Sequence, residues 1–371
     1  MDKIRTDICV CQKGYRKGQE LEYYGSDLNK WVAESCSKQM THINIDGLSY
    51  KRSKKIVRII ESKHSKEETP KSQREVLCIL AEYFMKINKR IGIIGKGFVG
   101  SAVQFGFSSS VGVDVDIKVY DKDQSKSTHT LQEVVVGSDI IFLSVPTPSN
   151  KDGTINLDIV DEALNDIDVY SASVDNIILL RSTVIPGTTR KLQEKYPNLR
   201  IVFNPEFLTE RSANFDFINQ TRFILGGNPN SVKEVSELFR QRFGHSISIV
   251  ETNYETAELI KYMGNTFFCT KISFLNDMKL LADKCGAIWE HAVEGFVRDG
   301  RIGHSHLNVP GHDGKYGFGG SCFPKDIQAL IKYGDENGVD MRVLKAAWET
   351  NLKVRPERDW EQLKGRAVVD E

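Results

Sequence analysis

The sequence predicts an α/β protein in which a doubly wound parallel sheet precedes a helical region. Three observations support this class: short apolar runs alternate with amphipathic stretches after residue 90, a glycine-rich turn follows the first run, and the pattern becomes helical from Asn253. Alternation of strands and helices is typical of a parallel sheet with helices on both faces.

Six apolar runs predict the strands of this sheet. Asp139–Val145 is almost continuous in apolar residues, as expected for a strand covered on both faces. The predicted strands are Arg90–Ile94, Val115–Tyr120, Asp139–Val145, Asn176–Leu180, Arg200–Phe203 and Thr221–Leu225.

The helical region begins with a long uninterrupted stretch. Tyr254–Cys285 contains no proline and a single glycine, Gly264, which predicts one long helix. Ile288–Arg298, Pro324–Asn337 and Asp340–Val354 are predicted to follow as helices.

Charge divides the chain although its formal total is zero, with 50 basic and 50 acidic residues among 371. Residues 1–90 hold 19 basic and 12 acidic residues, and residues 91–371 hold 31 and 38. We therefore predict a basic α+β N-terminal module at 1–89, a sheet domain at 90–250 and a helical domain at 251–371. Hydrophobic residues make up 40% of the chain, which excludes a mainly disordered protein.

Cysteine usage and hydropathy bear on the compartment. Seven cysteines occur at irregular spacing, and no apolar signal core follows Met1. A reduced, cytoplasmic compartment is the expectation. No apolar run reaches the roughly 18 residues of a membrane span, so no membrane partner is predicted.

A glycine-rich turn directly follows the first predicted strand. Its Gly-x-Gly-x-x-Gly pattern is typical of a Rossmann-like dinucleotide site, where the glycines permit a tight turn, approach of a pyrophosphate and close helix packing. Asp121 closes the second strand, and a carboxylate there suits the ribose of NAD and repels the 2′-phosphate of NADP. NAD is the predicted cofactor, with contacts at Gly95, Gly97, Phe98, Val99, Gly100 and Asp121.

Two later turns follow predicted strands at their carboxyl ends, where an open sheet binds its ligand. Pro146 and Thr147 lie in the first turn and Thr183 in the second. Taken alone, such residues are usually ordinary turn residues.

Cys322 lies between a glycine-rich loop and the helix predicted to start at Pro324, with Lys325 beside it. A helix N-terminus and a nearby ammonium both lower the pKa of a thiol, which predicts a thiolate nucleophile. The alternative is a small buried cysteine with a packing role. Lys261 and Asn265 share one helix face, which alone would be a solvated face.

These motifs together resemble the UDP-glucose/GDP-mannose dehydrogenase family, from about Ile91 to about Arg366. The resemblance is closest to the members that oxidise UDP-glucose. It is carried in the family's order by Gly95–Gly100, Val145–Pro148, Ser182–Val184, Asn204–Leu208 and Gly317–Asp326.

The resemblance implies oxidation of UDP-glucose to UDP-glucuronate by two hydride transfers to NAD. Cys322 would carry thiohemiacetal and thioester intermediates. Lys261 and Asn265 would stabilise the oxyanion, whereas Asp326, Thr183 and Glu206 would handle water and protons. The alternatives are GDP-mannose or a UDP-N-acetyl sugar as substrate, or an impaired dehydrogenase whose basic module binds nucleic acid.

The resemblance also implies binding residues and an assembly. Arg301 would reach across a homodimer interface to the substrate of the other subunit. The helix at 340–354 would form the axis of that dimer. Cofactor contacts would extend to Pro146, Thr147, Thr183 and Lys325, and UDP-sugar contacts would be Glu206, Phe207, Leu208, Glu210, Lys261, Asn265, Arg301, Phe318 and Gly319.

Two departures from the family are expected to matter. Loop Gly303–Tyr316 is longer than expected, with Gly311–Lys315 inserted, which would reshape the sugar pocket. The chain is also expected to lack the family's C-terminal UDP-binding domain, since it stops at Glu371.

The N-terminal module is predicted as helix 26–37, strand 42–50, strand 55–63 and helix 70–86. Asp46 on one strand, with Glu61 and Lys63 on the next, resembles a PD-(D/E)xK nuclease core, which would bind a divalent metal. The alternative is a basic appendage that packs on the dehydrogenase or its dimer mate. No other metal site is predicted.

Overall fold

A computed structural model describes residue 87 and residues 89–113 and 115–370. The predicted N-terminal elements and the metal-ligand candidates Asp46, Glu61 and Lys63 lie outside the described residues.

The chain divides into two compact units. The larger comprises Lys89–Gly106, Asp116–Ser236 and Ile249–Glu371, and the other includes Phe107–Val115 and Glu237–Ser248. The boundary between residues 250 and 251 stays a prediction.

A seven-stranded sheet forms the centre of the larger unit, in the order β2-β1-β3-β4-β5-β6-β7. The first five strands of that order pair in parallel, which confirms the predicted fold class. The strands are β1 (Ile91–Ile94), β2 (Ile117–Tyr120), β3 (Ile140–Leu143), β4 (Ile177–Leu180), β5 (Arg200–Phe203), β6 (Arg222–Gly227) and β7 (Ser248–Thr252).

Two features of the sheet differ from the prediction. β6 runs antiparallel to β5, with Val202 opposite Gly227 and Phe203 opposite Gly226. The apolar pattern of a strand has no direction, so the sequence did not reveal this. β7 was not predicted at all, because its five residues are partly or fully exposed and form no apolar run.

Helices cover the sheet and connect its strands. β1, β3 and β4 are buried along their whole length. On one face Ile141, Leu143, Ile178 and Leu180 share a core with apolar residues of the neighbouring helices. The helices are α1 (Phe98–Gly106), α2 (Leu131–Gly137), α3 (Asp158–Ser171), α4 (Thr188–Lys195), α5 (Ala213–Ile218) and α6 (Pro229–Phe243).

The long helix predicted after Asn253 is confirmed as α7 (Tyr254–Cys285). The Asn253 side chain accepts the Thr256 N–H at its start, and Gly286 ends it at φ 75°. α8 (Trp289–Val297), α9 (Phe323–Glu336) and α10 (Arg342–Val354) agree with the other three predicted helices to within two residues at each end.

α7 joins the two halves of the larger unit, since it contacts β6 as well as α9 and α10. A second core lies among these helices and includes Tyr262, Cys269, Ile327 and Leu344. No helix among the described residues is both long and apolar enough to cross a membrane.

Candidate active site

A cavity of about 530 Å³ lies at the carboxyl ends of β1, β3 and β4. The strand order reverses between β1 and β3, which is where doubly wound sheets bind ligands. Of the predicted catalytic residues, Cys322, Glu206 and Thr183 line it. The predicted cofactor contacts in its lining are Gly95, Gly97, Phe98, Val99, Asp121, Pro146, Thr147, Thr183 and Lys325.

The three fingerprint glycines occupy positions that exclude a side chain or leave room for a ligand. Gly95 has φ 89°, and a Cβ there would lie 2.5 Å from the Ser144 carbonyl oxygen. A Cβ at Gly100 would lie 2.0 Å from the Gly95 oxygen, so this glycine packs against the turn. Gly97 faces open space. The turn therefore fits a pyrophosphate at the start of α1.

Asp121 lies beside this turn at the end of β2. Its carboxylate accepts the backbone N–H groups of Lys96, at 2.6 Å, and Asp123, at 2.9 Å. These bonds hold the carboxylate at the cavity, where it suits the ribose hydroxyls of NAD.

The turns after β3 and β4 are bonded to each other. Thr147 Oγ1 donates to the Thr183 carbonyl oxygen at 2.9 Å, and Ser182 Oγ donates to that of Val145 at 2.6 Å. Both predicted turns thus form one wall of the cavity.

Glu258 on α7 holds the segment that follows Thr183, and the sequence had not indicated this residue. Its two carboxylate oxygens accept the N–H groups of Gly187, at 2.6 Å, and Thr189, at 2.7 Å. Glu258 is fully buried, and burial raises its pKa to about 7 despite these bonds. Its position one turn before Lys261 on α7 was the available sequence signal.

Lys261 and Glu206 form a buried ion pair under the cavity. Lys261 Nζ donates to Glu206 Oε1 at 2.9 Å and to its carbonyl oxygen, and the Leu208 N–H donates to Oε2 at 2.7 Å. Burial lowers the pKa of Lys261, but the charges of Glu206, Asp326 and Cys322 outweigh burial and raise it. Lys261 therefore keeps its proton, as an oxyanion-stabilising group requires.

A second buried group joins α7 to α9. Asp326 accepts Asn265 Nδ2 at 2.6 Å on one oxygen and Lys325 Nζ at 2.5 Å on the other. Lys261 and Asn265 thus point to one side of α7, as their spacing predicted, but they bind carboxylates there and are buried from solvent.

Cys322 directly precedes α9, and its thiol lies 3.8 Å from Ser321 Oγ. The expectation of a lowered thiol pKa was wrong. Burial raises the pKa of Cys322, and the charges of Glu206 and Asp326 add to this, while Lys261 and Lys325 only partly oppose it. With its pKa raised above the ordinary value, Cys322 is mainly a protonated thiol at neutral pH.

Models for two domains of one family match this chain. The NAD binding domain of the UDP-glucose/GDP-mannose dehydrogenase family matches residues 120–243, and the central domain of the same family matches residues 255–353. The chain belongs to the UDP-glucose/GDP-mannose dehydrogenase family. This membership confirms the predicted family and, through its NAD binding domain, the predicted cofactor.

Similar proteins carry dehydrogenase names. The chain is 35% identical to UDP-glucose 6-dehydrogenase of Rickettsia bellii over 63% of this chain and 54% of that protein. It is 32% identical to UDP-glucose 6-dehydrogenase TuaD of Bacillus subtilis, over 72% and 64%. It thus spans less than two thirds of either relative. A UDP-glucose dehydrogenase structure from Pyrobaculum islandicum aligns with TM-score 0.63 and 27% identity, covering 71% of this chain and 68% of that one.

The family's predicted sugar-nucleotide contacts divide into two groups. Glu206 and Glu210 line the cavity, and the Phe207 ring lies beneath Lys261 Nζ at 5.4 Å. Phe318 instead lies in the helical core, 3% exposed, with its ring against Phe323 and Trp348.

Gly319 and Arg301 also lie outside the cavity lining. Gly319 packs against the Arg355 guanidinium, which a Cβ would approach to 2.6 Å. Arg301 has a side chain 89% exposed and pairs with Asp299.

The loop that looked inserted is tied to the helical core of this family member. The Arg355 side chain is 3% exposed and donates to Asp313 at 2.6 Å. Its Nε and Nη2 both donate to the Asp359 carboxylate. Lys271 donates to the carbonyl oxygens of Gly303 and Ser305, each at 2.6 Å. These contacts hold the loop at both ends.

Two further cavity residues escaped the sequence analysis as site residues. Arg181 directly follows β4 and lines the cavity, as does Arg366, which donates to both oxygens of Glu210 at 2.8 Å. Arg181 directly precedes Ser182 and Thr183, so its place at a strand end was the available signal. Arg366 carried no local signal.

Proposed function

We propose that this protein oxidises UDP-glucose to UDP-glucuronate with NAD as the electron acceptor. One observation carries the proposal: Cys322 lines the same cavity as the glycine fingerprint and Asp121. A cysteine nucleophile next to a dinucleotide site suits an oxidation that passes through covalent sulfur intermediates. Per sugar, two NAD and one water would be consumed, and two NADH, one carboxylate and three protons formed.

The first oxidation needs a group that stabilises a developing alkoxide. NAD supplies the hydride acceptor in both oxidations. Lys261, buried and protonated, would face the negative charge that develops on the carbon 6 oxygen as the hydroxyl proton passes to Glu206 or Asp326 and on to solvent. The hydrogen bond from Asn265 to Asp326 would keep α7 and α9 in register beside it.

The second oxidation would use the sulfur of Cys322. Addition to the aldehyde forms a carbon–sulfur bond, and the thiol proton passes to a neighbouring carboxylate, Glu206 or Asp326, and from there to solvent. Loss of hydride then leaves a thioester. Water adds to that carbonyl with Asp326 as base, the carbon–sulfur bond breaks, and the sulfur recovers a proton.

An activity screen tests this function directly. UDP-glucose, GDP-mannose and UDP-N-acetyl sugars are each mixed with NAD, and NADH absorbance is followed. We expect UDP-glucose to give two NADH per sugar consumed. Signal only from another sugar nucleotide would replace the substrate, and no signal from any of them would refute the activity.

Two free cysteines, one in the cavity and one outside it, supply a test variant and a matched control. Cys322→Ser should abolish carboxylate formation, because a serine hydroxyl is a much poorer nucleophile without a strong base. Cys285→Ser should behave as the parent, since Cys285 is exposed and absent from the cavity lining. Full uronate production by the first variant would show that the nucleophile is wrongly assigned.

We further propose a homodimer that pairs along α7, the long central helix, where the sequence had favoured the helix at 340–354. Large apolar side chains on α7 are 37–63% exposed, and their spacing of three, four and seven places them on one face. A continuous exposed apolar stripe marks an interface, and one helix face meeting its own copy is self-complementary. The stripe comprises Leu259, Met263, Phe267, Phe274, Met278 and Leu281.

Sedimentation tests the dimer. Phe267→Glu should shift the protein from dimer to monomer, because a charge would be buried at the centre of the stripe. Val169→Glu, at an equally exposed apolar position on α3, is the control and should leave the mass unchanged. A parent protein that sediments as a monomer would contradict the proposal.

Binding of nucleic acid by residues 1–89 stays a proposal that rests on charge alone. Salt-sensitive binding that disappears when residues 1–88 are removed would support it.

A further inference from the structure

Arg181 is a buried cation for which the proposed reaction has no role. Its side chain is 2% exposed, and Nη1 donates to Asn204 Oδ1. Nε and Nη2 have no hydrogen-bond partner among the described residues. The rings of Phe142 and Phe217 lie 5.9 Å and 5.8 Å from the guanidinium carbon. The aromatic rings and Asn204 therefore hold the guanidinium in place with one of its edges unused.

The unused edge consists of Nε and Nη2, and the same edge of other arginines in this chain binds carboxylates. Nε and Nη2 of Arg190 bind the Glu255 carboxylate. The same two nitrogens of Arg301 bind Asp299, and those of Arg355 bind Asp359. Two parallel N–H groups match the two oxygens of a carboxylate. A buried guanidinium without such a partner is costly, which points to a carboxylate partner in another state of the site.

Glu206 is the carboxylate best placed to be that partner. It is 6% exposed and lies two residues after Asn204, to which Arg181 is bonded. Burial lowers the pKa of Arg181 to about 10, and the charge of Glu206 opposes that effect. Arg181 is therefore a cation at neutral pH and lies within the field of Glu206.

We propose that the Glu206 carboxylate exchanges between two cations, Lys261 and Arg181, so that Arg181 is a positioning residue for the reaction. In the structure the Glu206 carboxylate is paired with Lys261 Nζ. This pairing weakens the electrostatic field that the ammonium can direct at a substrate oxygen. When Lys261 turns to the reacting oxygen, Glu206 turns to Nε and Nη2 of Arg181. No covalent bond and no proton changes place. The exchange rests on the proposed dehydrogenase function.

The kinetic test compares Arg181→Met, which removes the cation, with Arg181→Lys, which keeps it but removes the two-pronged edge. For Arg181→Met we expect kcat to fall roughly 10- to 100-fold with both KM values within about threefold of the parent. Arg181→Lys should recover part of kcat, since an ammonium can still bind one carboxylate oxygen. Arg342→Met, at an exposed arginine, is the control.

Two kinetic outcomes would overturn the exchange. A raised KM with unchanged kcat would make Arg181 a ligand-binding residue. An unchanged kcat in a folded Arg181→Met protein would leave it without a role. Retained NAD binding and an unchanged melting temperature establish that each variant is folded.

A structure of the parent protein with UDP-glucose and NADH decides the matter without any variant. We expect both Glu206 oxygens within about 3 Å of Arg181 Nε and Nη2. A Glu206 that stays on Lys261 overturns the exchange. Failure of the proposed function is recognised separately, because the parent protein would then form no NADH from any sugar nucleotide.

Discussion

Replacing Glu258 by glutamine tests how burial acts on the carboxylate that holds the Thr183 segment. Both oxygens accept backbone N–H groups, at 2.6 Å and 2.7 Å, and the residue is fully buried. Burial is the larger effect and raises the pKa of Glu258 from 4.5 to about 7. Glutamine has nearly the same shape and does not titrate, so it isolates the effect of the charge.

The shift sets the size and sign of the expected pH dependence. A difference of about 2.5 pKa units corresponds to roughly 3 kcal/mol. Because the folded pKa is raised, the contribution is fully present below pH about 4.5 and is lost as the pH rises through about 7. The free energy of unfolding of the parent, minus that of Glu258→Gln, should therefore fall by up to about 3 kcal/mol over this range.

Urea unfolding at a series of pH values, followed by tryptophan fluorescence, measures this difference. Titrations shared by both proteins cancel in the subtraction. Glu255→Gln is a matched control with the opposite sign, because the Arg190 guanidinium lowers the pKa of Glu255. That pair is partly exposed, so only a small rise with pH is expected. A difference for Glu258 that is flat or rises with pH would refute the reasoning.

Three other predictions concern the nucleophile, the cofactor turn and the loop before the nucleophile. Alkylation of Cys322 by iodoacetamide should show a pH midpoint above the ordinary thiol value of 9.0, and a midpoint below it would contradict the burial argument. Gly100→Ala should weaken NAD binding by about tenfold or more in calorimetry, because the added Cβ would overlap the Gly95 oxygen. A Cβ at Gly303 would face open space, so the Gly303→Ala control should bind NAD as the parent does. Arg355→Gln should lower the free energy of unfolding by about 3 kcal/mol in urea titrations, since Asp313 and Asp359 lose their buried partner; an unchanged stability would show that the loop is held by other contacts.

Local patterns predicted much of the fold and the residue types of the site. The helix spacing that placed Lys261 and Asn265 on one face of α7 is confirmed by their common approach to the buried carboxylates. The fingerprint glycines also behave as predicted, because each role follows from short-range backbone geometry. These features depend on neighbours within a few residues, which a sequence displays directly.

Other predictions failed where the outcome depends on distant parts of the chain. The Cys322 environment looked electropositive from its own loop, but burial and the carboxylates of Glu206, which follows β5, and of Asp326, on α9, reverse the direction of its pKa shift. The antiparallel direction of β6 and the core position of Phe318 are likewise set by packing partners far away in sequence.

By itself, the sequence determined the sheet-then-helix order, the dinucleotide turn, the cysteine before α9 and the family. Each is written in a contiguous motif or a periodic pattern. The tertiary structure alone decided which charges meet: Lys261 with Glu206, Asp326 with Asn265 and Lys325, and Arg181 with an edge that no described residue fills. Burial decides how strongly such charges act, and burial is a property of the packed molecule.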